Sequence, residues 1–473
     1  MIVGIDFGTT NSLIANSEIF INERGSRITP SIVFFRNNNE VLVGDLAKSQ
    51  MYIRPDKVIL NVKRDLGKGK EYIINNEKFK AEEIASFIFK KLKNIVNEEI
   101  SSAVITVPAY FDDNQRNGVL EAASIAGLDV VKLLNEPVAA AIGYGINIEN
   151  KKILVLDFGG GTFDITLMEI KDDVFNVLKT GGSSELGGID FDNILVNWIV
   201  NTVKEKDGID LNVDPVALQQ LYIHAENAKI DLSVVENTDI IIPYIATLNN
   251  RPYHLNLNIN RDIFLSISKG LIEKIEKLIL EVANEEIDEI IFVGGSSRLF
   301  FLKELVKKIF PDKKIISDLN PEEIVVKGAG LYAQVLEGKI NNILLRDILP
   351  HSLGVLDDEG NFIEILKSGI HYPSSETEIF TNTKDNQDTI IIKVLQKKND
   401  EMINLGDFEF KFSKKWKKNE ARIAVNFSLN INGLLEITAE DLNTGQSLKG
   451  KITNAMVNRK SINKDFINNY KII

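Results

Sequence analysis

Residues 157–164 read Asp-Phe-Gly-Gly-Gly-Thr-Phe-Asp and directly follow the apolar run 153–156, and residues 6–11 read Asp-Phe-Gly-Thr-Thr-Asn after the apolar run 2–5. Each stretch places an aspartate at the end of a predicted strand and then a turn of small residues. Glycine lets backbone N–H groups approach an anion closely, and threonine hydroxyls add hydrogen-bond donors. The pair predicts two homologous lobes that close on one polyphosphate from both sides, with two ordinary glycine-rich turns as the alternative. The candidate phosphate-binding residues are Gly8, Thr9, Thr10, Asn11, Gly159, Gly160, Gly161 and Thr162.

Four carboxylates accompany these turns, namely Asp6, Glu136, Asp157 and Asp164. Several acids that converge on a polyphosphate require a divalent cation between the like charges. Mg²⁺ keeps several of its waters and takes few direct protein ligands, so we expect these acids to hold it through water. For Glu136 alone, an ordinary acid at a helix terminus is an equally good interpretation.

A third glycine pair, Gly294 and Gly295, follows the predicted strand 290–293 and precedes Ser296 and Arg298. The planar guanidinium of Arg298 is suited to lie on the face of a nucleotide base. A plain strand-to-helix turn is the alternative.

Residues 445–451 (GQSLKGK) resemble a Walker A loop, but Ile452 stands where serine or threonine is required. The segment also lies among predicted hairpins, so no P-loop is predicted.

Composition excludes several classes of function. The 473 residues carry 55 Lys and Arg against 67 Asp and Glu, a net charge of −12, which argues against nucleic acid or an anionic membrane as the main partner. The chain has no cysteine and four scattered histidines, which excludes disulfides, thiolate nucleophiles and Cys- or His-pair metal motifs. The N-terminus lacks a signal-peptide pattern and no long apolar run is present, so we expect no membrane span and a cytoplasmic location.

The pattern along the chain predicts an α/β domain followed by an all-β domain. Over residues 1–340, short apolar runs alternate with helical periods, such as the one over residues 262–283, and a further helix is expected to begin at Asp214-Pro215. Residues 341–350 read as a linker and residues 351–455 as a β-sandwich with a hairpin turn at Asn432-Gly433. The tail 456–473 is expected to form one short helix at most, and the basic stretch 411–418 (KFSKKWKK) a solvated loop.

Taken together, the motifs resemble the DnaK-type, seventy-kilodalton heat-shock chaperone family over residues 2–455. The matching segments are residues 4–12, 104–111 (VITVPAYF), 135–137, 157–164, 186–192 (LGGIDFD) and 293–298. The resemblance implies a two-lobed, actin-like (ribonuclease-H-like) α/β ATPase domain and a small β-sandwich that binds extended apolar segments of unfolded polypeptide. Actin and the sugar kinases share the ATPase fold but lack the VPAYF segment and such a β-domain.

The resemblance also implies roles for individual residues. Lys63 would be the catalytic lysine, although from the residues alone it is equally a solvated surface lysine. Thr162 would contact the γ-phosphate of ATP, Glu136 and Asp164 would hold water and Mg²⁺, and Asp6 and Asp157 would face the metal. ATP and ADP would bind at the nucleoside end through Glu226, Lys229, Ser233, Gly294, Gly295, Ser296 and Arg298. The peptide-binding positions would be Val355, Phe380, Thr383, Ile390 and Ile392, and Pro108 and Arg116 match positions that relay the nucleotide state.

Several positions depart from the family pattern. The segment after Gly67 is short, as in short bacterial relatives, and we expect no helical lid after the β-domain. Arg346 stands in the linker where the family has leucine, which is expected to weaken docking of the linker on the ATPase lobes. Asp358 falls near the position of the apolar arch over the peptide cleft. Lys132 keeps the charge that the family uses to meet a J-domain co-chaperone, so that co-chaperone and a nucleotide-exchange factor are expected partners.

The sequence is therefore interpreted as an ATP-hydrolysing chaperone of the heat-shock, stress-response type that assists protein folding. In this interpretation ATP docks the linker and β-domain on the ATPase lobes and loosens peptide binding, and hydrolysis reverses both. The alternatives are a regulatory chaperone-like ATPase with a restricted client, a small-molecule kinase of the same superfamily and an actin-like filament protein.

Overall fold

The computed structural model describes residues 1–37, 39–145, 150–248, 250–283, 286–316, 320–340, 343–357, 359–450 and 465–473. Asp358, residues 341 and 342 of the predicted linker and residues 456–464 of the predicted tail lie outside the described residues. Within the described part of the chain, no helix is both long and apolar enough to cross a membrane.

The first lobe is built on a five-stranded sheet in the order β10-β9-β1-β2-β3. Strands β1 and β2 are antiparallel, whereas β1, β9 and β10 run parallel, as expected where helices connect the strands. The elements are β1 (Ile2–Phe7), β2 (Asn11–Ala15), β3 (Thr29–Pro30), β4 (Val33–Asn37), β5 (Glu40–Val43), α1 (Asp45–Lys48), β6 (Val58–Ile59), β7 (Glu71–Ile74), β8 (Glu77–Lys80), α2 (Ala81–Ile95), β9 (Ser102–Val107), α3 (Asp113–Ile125), β10 (Val130–Asn135) and α4 (Glu136–Tyr144).

The second lobe repeats this topology. Its strands β13-β12-β11-β16-β17 have the order and directions of β3-β2-β1-β9-β10, with antiparallel hairpin strands followed by parallel ones. The elements are β11 (Lys151–Phe158), β12 (Phe163–Lys171), β13 (Val174–Ser183), α5 (Gly188–Asp207), α6 (Pro215–Leu232), β14 (Asn237–Leu248), β15 (Arg251–Asn260), α7 (Arg261–Val282), β16 (Glu289–Val293), α8 (Phe300–Ile309), β17 (Lys314–Ile316) and α9 (Ile324–Leu336). This repetition confirms the predicted two-lobed α/β fold.

Local signals placed two helices of the second lobe correctly. Helix α6 begins at Pro215 because the carboxylate of Asp214 accepts a hydrogen bond from the Val216 N–H at 2.9 Å. Helix α7 covers the predicted 3.6-residue period, and the side chain of Asn260 caps it by accepting from the Ile263 N–H at 2.9 Å.

The C-terminal strands form two packed four-stranded sheets, β20-β19-β23-β24 and β22-β25-β26-β27, which agrees with the expected sandwich. The inward side chains of both sheets share one apolar core that includes Val355, Phe410 and Phe427. The strands from the linker onward are β18 (Leu344–Ile348), β19 (Ser352–Leu356), β20 (Phe362–Leu366), β21 (His371–Tyr372), β22 (Ser374–Phe380), β23 (Gln387–Lys398), β24 (Glu401–Trp416), β25 (Ile423–Leu429), β26 (Leu435–Asp441) and β27 (Gln446–Gly450).

One turn of the sandwich follows the sequence and one segment does not. Gly433 adopts a φ of 70° in the turn between β25 and β26, as the Asn-Gly pair predicts. The prediction of a loop over residues 411–418 is wrong for its first six residues, which belong to β24. Phe410 lies in the core and Trp416 is also buried, while Lys411, Lys414 and Lys415 face solvent.

The β-domain is docked against both lobes. The linker strand β18 adds to the edge of the second-lobe sheet, parallel to β13, with Val174, Phe175 and Asn176 opposite Leu344, Leu345 and Arg346. Further along the chain, a 3₁₀ turn (Phe466–Asn469) and a final strand β28 (Lys471–Ile472) pack against the first lobe. No strand was expected in this tail.

Candidate functional site

The two lobes face each other across a cleft with a cavity of about 430 Å³. Nearly all of the predicted nucleotide-site residues line it, from both lobes. These residues are Asp6, Gly8, Thr9, Thr10, Asn11, Lys63, Glu136, Asp157, Gly159, Gly160, Thr162, Glu226, Lys229, Ser233, Gly294, Gly295, Ser296 and Arg298. Gly161 and Asp164 are not among the lining residues, although they lie in the same loop and strand.

The two glycine-rich turns touch each other at the floor of the cleft. A Cβ atom on Gly160 would lie 1.9 Å from Thr10 Oγ1, and one on Gly161 would lie 2.4 Å from Thr9 Oγ1. A side chain is therefore excluded at both glycines, and the close approach brings backbone N–H groups and threonine hydroxyls of the two turns together at the cavity. This arrangement suits an anion gripped from both lobes.

Arg64 holds the two lobes together behind these turns. Its Nε and Nη2 atoms donate to the carbonyl oxygen of Gly161 at 2.9 and 2.6 Å, and Nη2 also donates to Asp190 Oδ2 at 2.6 Å. The same Asp190 carboxylate accepts from the Gly187 N–H at 2.7 Å, which fixes the start of α5. Gly161 is thus a structural bridge, and this explains why it does not line the cavity.

Lys63 is buried at the base of the cleft and forms an ion pair with Glu136. Its side chain is 2% exposed, and Nζ lies 2.5 Å from Glu136 Oε1. The ammonium also lies 5.8 Å from the ring centre of Phe7 and 5.7 Å from that of Phe111. Burial between two rings and a carboxylate excludes the interpretation of Lys63 as a solvated surface lysine.

The acids of the cleft repel one another in the protein without a cation. Burial, followed by the charge of Glu136, raises the pKa of Asp6 to about 7 and that of Asp164 to about 7. The same causes raise the pKa of Asp157 well above its ordinary value. A divalent cation would remove this repulsion, so the donor set fits one. Among the described residues no three acidic or histidine side chains form a group able to ligate an ion directly, so a bound cation would keep water ligands.

Helix α6 and the turn after β16 form the other end of the cleft. Lys229 is buried, and Nζ donates to the Asp192 carboxylate at 2.8 Å and to the Gly188 carbonyl at 3.1 Å. Burial raises the pKa of Asp192 to about 6 in spite of this lysine. Arg298 is exposed; its Nη2 donates to Asn320 Oδ1 at 3.4 Å and lies 3.8 Å from Glu322 Oε2, and its planar guanidinium is suited to cover a ring at this end of the cleft.

Several residues that line the cleft were not predicted. They are Leu13, Ile189, Asp192, Ile230, Val234, Leu299, Pro321, Glu322 and Val325. Ile230 on α6 and Val234, two residues beyond its end, are exposed aliphatic side chains, and exposed apolar residues beside the predicted site were the available signal. Asp192 lies in the LGGIDFD motif, but its pairing with Lys229 depends on the tertiary fold.

The predicted peptide-binding residues lie in the sandwich, at two levels of exposure. Val355, Ile390 and Ile392 are buried in its apolar core. Phe380, the last residue of β22, is half-buried against that core, and Thr383 is half-buried in the following loop, where its N–H donates to Gln387 Oε1 at 3.0 Å. In this arrangement three of the five are enclosed within the protein.

A short chain of side chains joins the cleft to the linker. Arg116 is buried, and its Nη2 donates to Asn135 Oδ1 at 2.7 Å. Asn135 in turn donates from Nδ2 to Asp347 Oδ2 at 2.6 Å, and Glu136 of the cleft is the next residue in the chain. Pro108 lies at the neighbouring turn, where its carbonyl accepts from the Phe111 N–H at 3.2 Å.

Comparison with known proteins finds similarity to one family over almost the whole chain. A family model described as Hsp70 protein matches residues 2–470. A protein named chaperone protein dnaK from Phaeodactylum tricornutum is 38% identical, across 94% of this chain and 79% of its own length. A relative of the same name from Cyanidioschyzon merolae is 38% identical across 96% of this chain and 82% of its own. Chaperone protein DnaK of Thermosipho melanesiensis is 38% identical across 94% of this chain and 79% of its own length.

Proposed function

Because this chain belongs to the Hsp70 family and is an ATP-dependent molecular chaperone with ATPase activity, we propose that nucleotide in the cleft controls peptide binding by the β-domain through the linker. The observation that carries this proposal is the contact between Asn135 and Asp347. It ties the residue next to Glu136 directly to β18, the strand by which the linker docks on the second lobe. A displacement of Glu136 would therefore change the contact between Asn135 and the linker strand.

Within the cleft, each group has a distinct task in ATP hydrolysis. The turns at Thr9, Thr10 and Thr162 would hold the phosphates, and Asp6 and Asp157 would hold Mg²⁺ through water. The ion, when bound, neutralises charge on the phosphate oxygens. Lys63 places its charge at the γ-phosphate and orients the attacking water, while Glu136 and Asp164 hold water beside it. A buried, fixed ammonium costs no reorganisation when charge develops in the transition state.

The docked arrangement corresponds in this proposal to the ATP state, in which peptide binding is weak. The enclosure of Val355, Ile390 and Ile392 within the sandwich supports this assignment, because a client side chain cannot reach them without a change in the β-domain. Release of the linker after hydrolysis permits that change. The coupling is reciprocal, so bound peptide must also favour hydrolysis and undocking.

The test is the rate of ATP hydrolysis with and without a seven-residue peptide that has leucine at its centre. We expect the peptide to accelerate hydrolysis, and Phe380→Ala to weaken its binding about tenfold, which is the scale of one buried apolar contact. Phe410→Ala is the matched control, since Phe410 is fully buried and its loss should lower the free energy of unfolding by about 3–5 kcal/mol instead. If Phe380→Ala unfolds the β-domain while the folded fraction keeps its affinity for the peptide, Phe380 is a core residue and the peptide site lies elsewhere.

Partners other than the client remain part of the proposal. Lys132, expected to meet a J-domain co-chaperone, here donates a hydrogen bond to the Ile431 carbonyl of the β-domain. A J-domain that uses Lys132 would therefore compete with this docking contact.

A nucleotide-exchange factor and a cytoplasmic location are proposed on the same family grounds. Phosphate transfer to any member of a panel of sugars would instead favour the kinase alternative.

A further inference from the structure

The end of the chain, residues 465–473, lies on the first lobe, although the β-domain precedes it in sequence. We call this segment the C-terminal anchor. Its two aromatic side chains enter a groove lined by Phe35, Phe79 and Phe87, here called the aromatic groove. The ring centre of Tyr470 lies 5.2 Å from that of Phe87 and 6.4 Å from that of Phe35, both edge-on. The ring of Phe466 lies 5.7 Å from Phe87 and 6.2 Å from Phe79.

The backbone of the anchor adds a strand to the lobe. Strand β28 lies parallel to β5 and completes a four-stranded sheet in the order β28-β5-β4-β6. The Lys471 N–H donates to the Asn39 carbonyl at 2.8 Å, the Ile473 N–H donates to the Val41 carbonyl at 3.0 Å, and the Val43 N–H donates to the Ile473 carbonyl at 3.0 Å. Main-chain pairing with side chains in pockets is the way extended peptides bind the edge of a sheet.

The anchor belongs to the lobe and not to the β-domain. Ile467 is 4% exposed within the apolar core that also holds Val3, Phe7 and Phe89. Every hydrogen bond and ring contact described for residues 466–473 stays within the segment or reaches the first lobe. None of these contacts involves the residues that line the nucleotide cleft. The hydrogen bonds and ring contacts that hold the anchor are therefore made without the cleft-lining residues and without the β-domain.

We propose that the C-terminal anchor binds the aromatic groove of its own chain in both nucleotide states, so that the β-domain is tethered to the ATPase domain at both ends. The 14 residues 451–464 connect Gly450 of the sandwich to the anchor. They span at most roughly 50 Å, because a residue extends the chain by no more than about 3.3–3.6 Å. A second tether lowers the entropy of the undocked state and keeps the β-domain at a high effective concentration near the lobes.

A cross-link tests which chain occupies the groove. The chain has no cysteine, so a disulfide between introduced residues is free of background. Lys471 lies opposite Glu40 in the strand register, and we expect Glu40→Cys with Lys471→Cys to form an intramolecular disulfide in ATP and in ADP. The out-of-register pair Glu40→Cys with Asn468→Cys is the control and should cross-link poorly. Disulfide-linked dimers, or a cross-link in one nucleotide state only, would overturn the proposal.

A truncation after residue 464 tests the tether. We expect docking in ATP, followed by energy transfer between dyes on the lobe and the β-domain, to weaken about three- to tenfold. A synthetic peptide of residues 465–473 should bind the truncated chain and restore its thermal stability, but not its docking, because a separate peptide fills the groove without tethering anything.

If the truncated chain does not fold, the double variant Phe466→Ala and Tyr470→Ala replaces it, with the exposed Asn469→Ala as its control. Docking that is unchanged in the truncated or double variant, or that is restored by the added peptide, would show that the anchor is only a part of the lobe core. These outcomes do not depend on what the β-domain binds, so they are separate from the test of peptide binding.

Discussion

Asn135 Nδ2 lies 2.6 Å from Asp347 Oδ2, and this hydrogen bond spans 212 residues of sequence to join the nucleotide cleft to the linker. Both side chains are buried, and Asn135 is held on its other side by Arg116. A carboxylate in such a place is stabilised only while its partners are present, because burial of a charge without a hydrogen bond is costly. The contact joins the first lobe to the docked linker strand, so its strength contributes directly to docking.

The first prediction concerns Asp347. Replacement of Asp347 by alanine removes a buried, charge-assisted hydrogen bond of about 1.5–3 kcal/mol, so docking in ATP should weaken by about ten- to a hundredfold. Energy transfer between dyes placed on the lobe and on the β-domain measures the docked fraction. Glu364→Ala is the control, since Glu364 is exposed on β20 of the same domain. Equal docking in the Asp347 and Glu364 variants would remove this contact from the coupling path.

The second prediction concerns Lys63. Lys63→Ala should lower the rate of ATP hydrolysis by about a hundredfold or more, because the ammonium acts chiefly on charge that develops in the transition state. ATP affinity should change only a few-fold. Single-turnover hydrolysis and nucleotide binding are the two measurements.

The control for Lys63→Ala is Lys70→Ala, a lysine of the same segment that lies exposed on the surface. It should hydrolyse ATP at the normal rate. Near-normal hydrolysis in Lys63→Ala would mean that the ion pair with Glu136 shapes the cleft but takes no part in the chemistry.

The sequence was sufficient for those features that depend on neighbouring residues. The glycine-rich turns after β1 and β11, the cap of α6 at Asp214 and the turn at Gly433 are all determined within a few residues, and each was predicted. The match between the two lobes followed from the repeated turn. The α/β fold and most of the cleft therefore followed from short patterns.

Features that depend on distant residues were not predictable in this way. The strand β28 pairs with β5 more than 400 residues earlier, and nothing in the local sequence NNYKII signals a partner. The ion pair between Lys63 and Glu136 likewise exists only once β10 and the turn at Val62–Asp65 are packed together. Residues 411–416 were misjudged because their charge outweighed an alternation with Phe408, Phe410 and Phe412 that indicates a strand.

The third prediction concerns pH. His351 is buried at the docking interface, where its ring lies edge-on to Tyr110 and Nε2 bonds to the Tyr110 carbonyl at 3.1 Å. Burial, together with the charges of Lys398 and Arg116, lowers the pKa of His351 from 6.5 to about 3. The undocked form therefore binds a proton below pH 6.5 that the docked form does not accept. The contribution of His351 to docking is therefore fully present above pH 6.5 and is lost as the pH falls. We expect the equilibrium constant for docking to decrease about tenfold between pH 7.5 and pH 5.5.

His351→Gln is the control for this pH effect, because glutamine keeps a hydrogen-bond donor but does not titrate. The docked fraction of this variant should be nearly constant from pH 5.5 to 7.5. Lys132, whose pKa is lowered to about 8 by burial at the same interface, affects docking only at higher pH. A slope that persists in His351→Gln would assign the pH effect to another group.

The last prediction concerns the linker strand, where Arg346 was expected to weaken docking. Strand β18 alternates its side chains, so that Leu345 packs against the lobe core while Leu344 and Arg346 face solvent. The charge of Arg346 is therefore solvated in the docked arrangement, and the strand is held by backbone pairing, by Leu345 and Ile348 in the lobe core and by the hydrogen bond of Asp347. Arg346→Leu should change docking less than about twofold, as is usual for exposed positions. Leu345→Asp should weaken it by at least about tenfold, because it places an unpaired charge against apolar side chains. Stopped-flow measurement of the release of a labelled peptide in ATP and in ADP reports the same coupling. A Leu345→Asp variant that still releases peptide faster in ATP than in ADP would show that the linker strand does not transmit the signal.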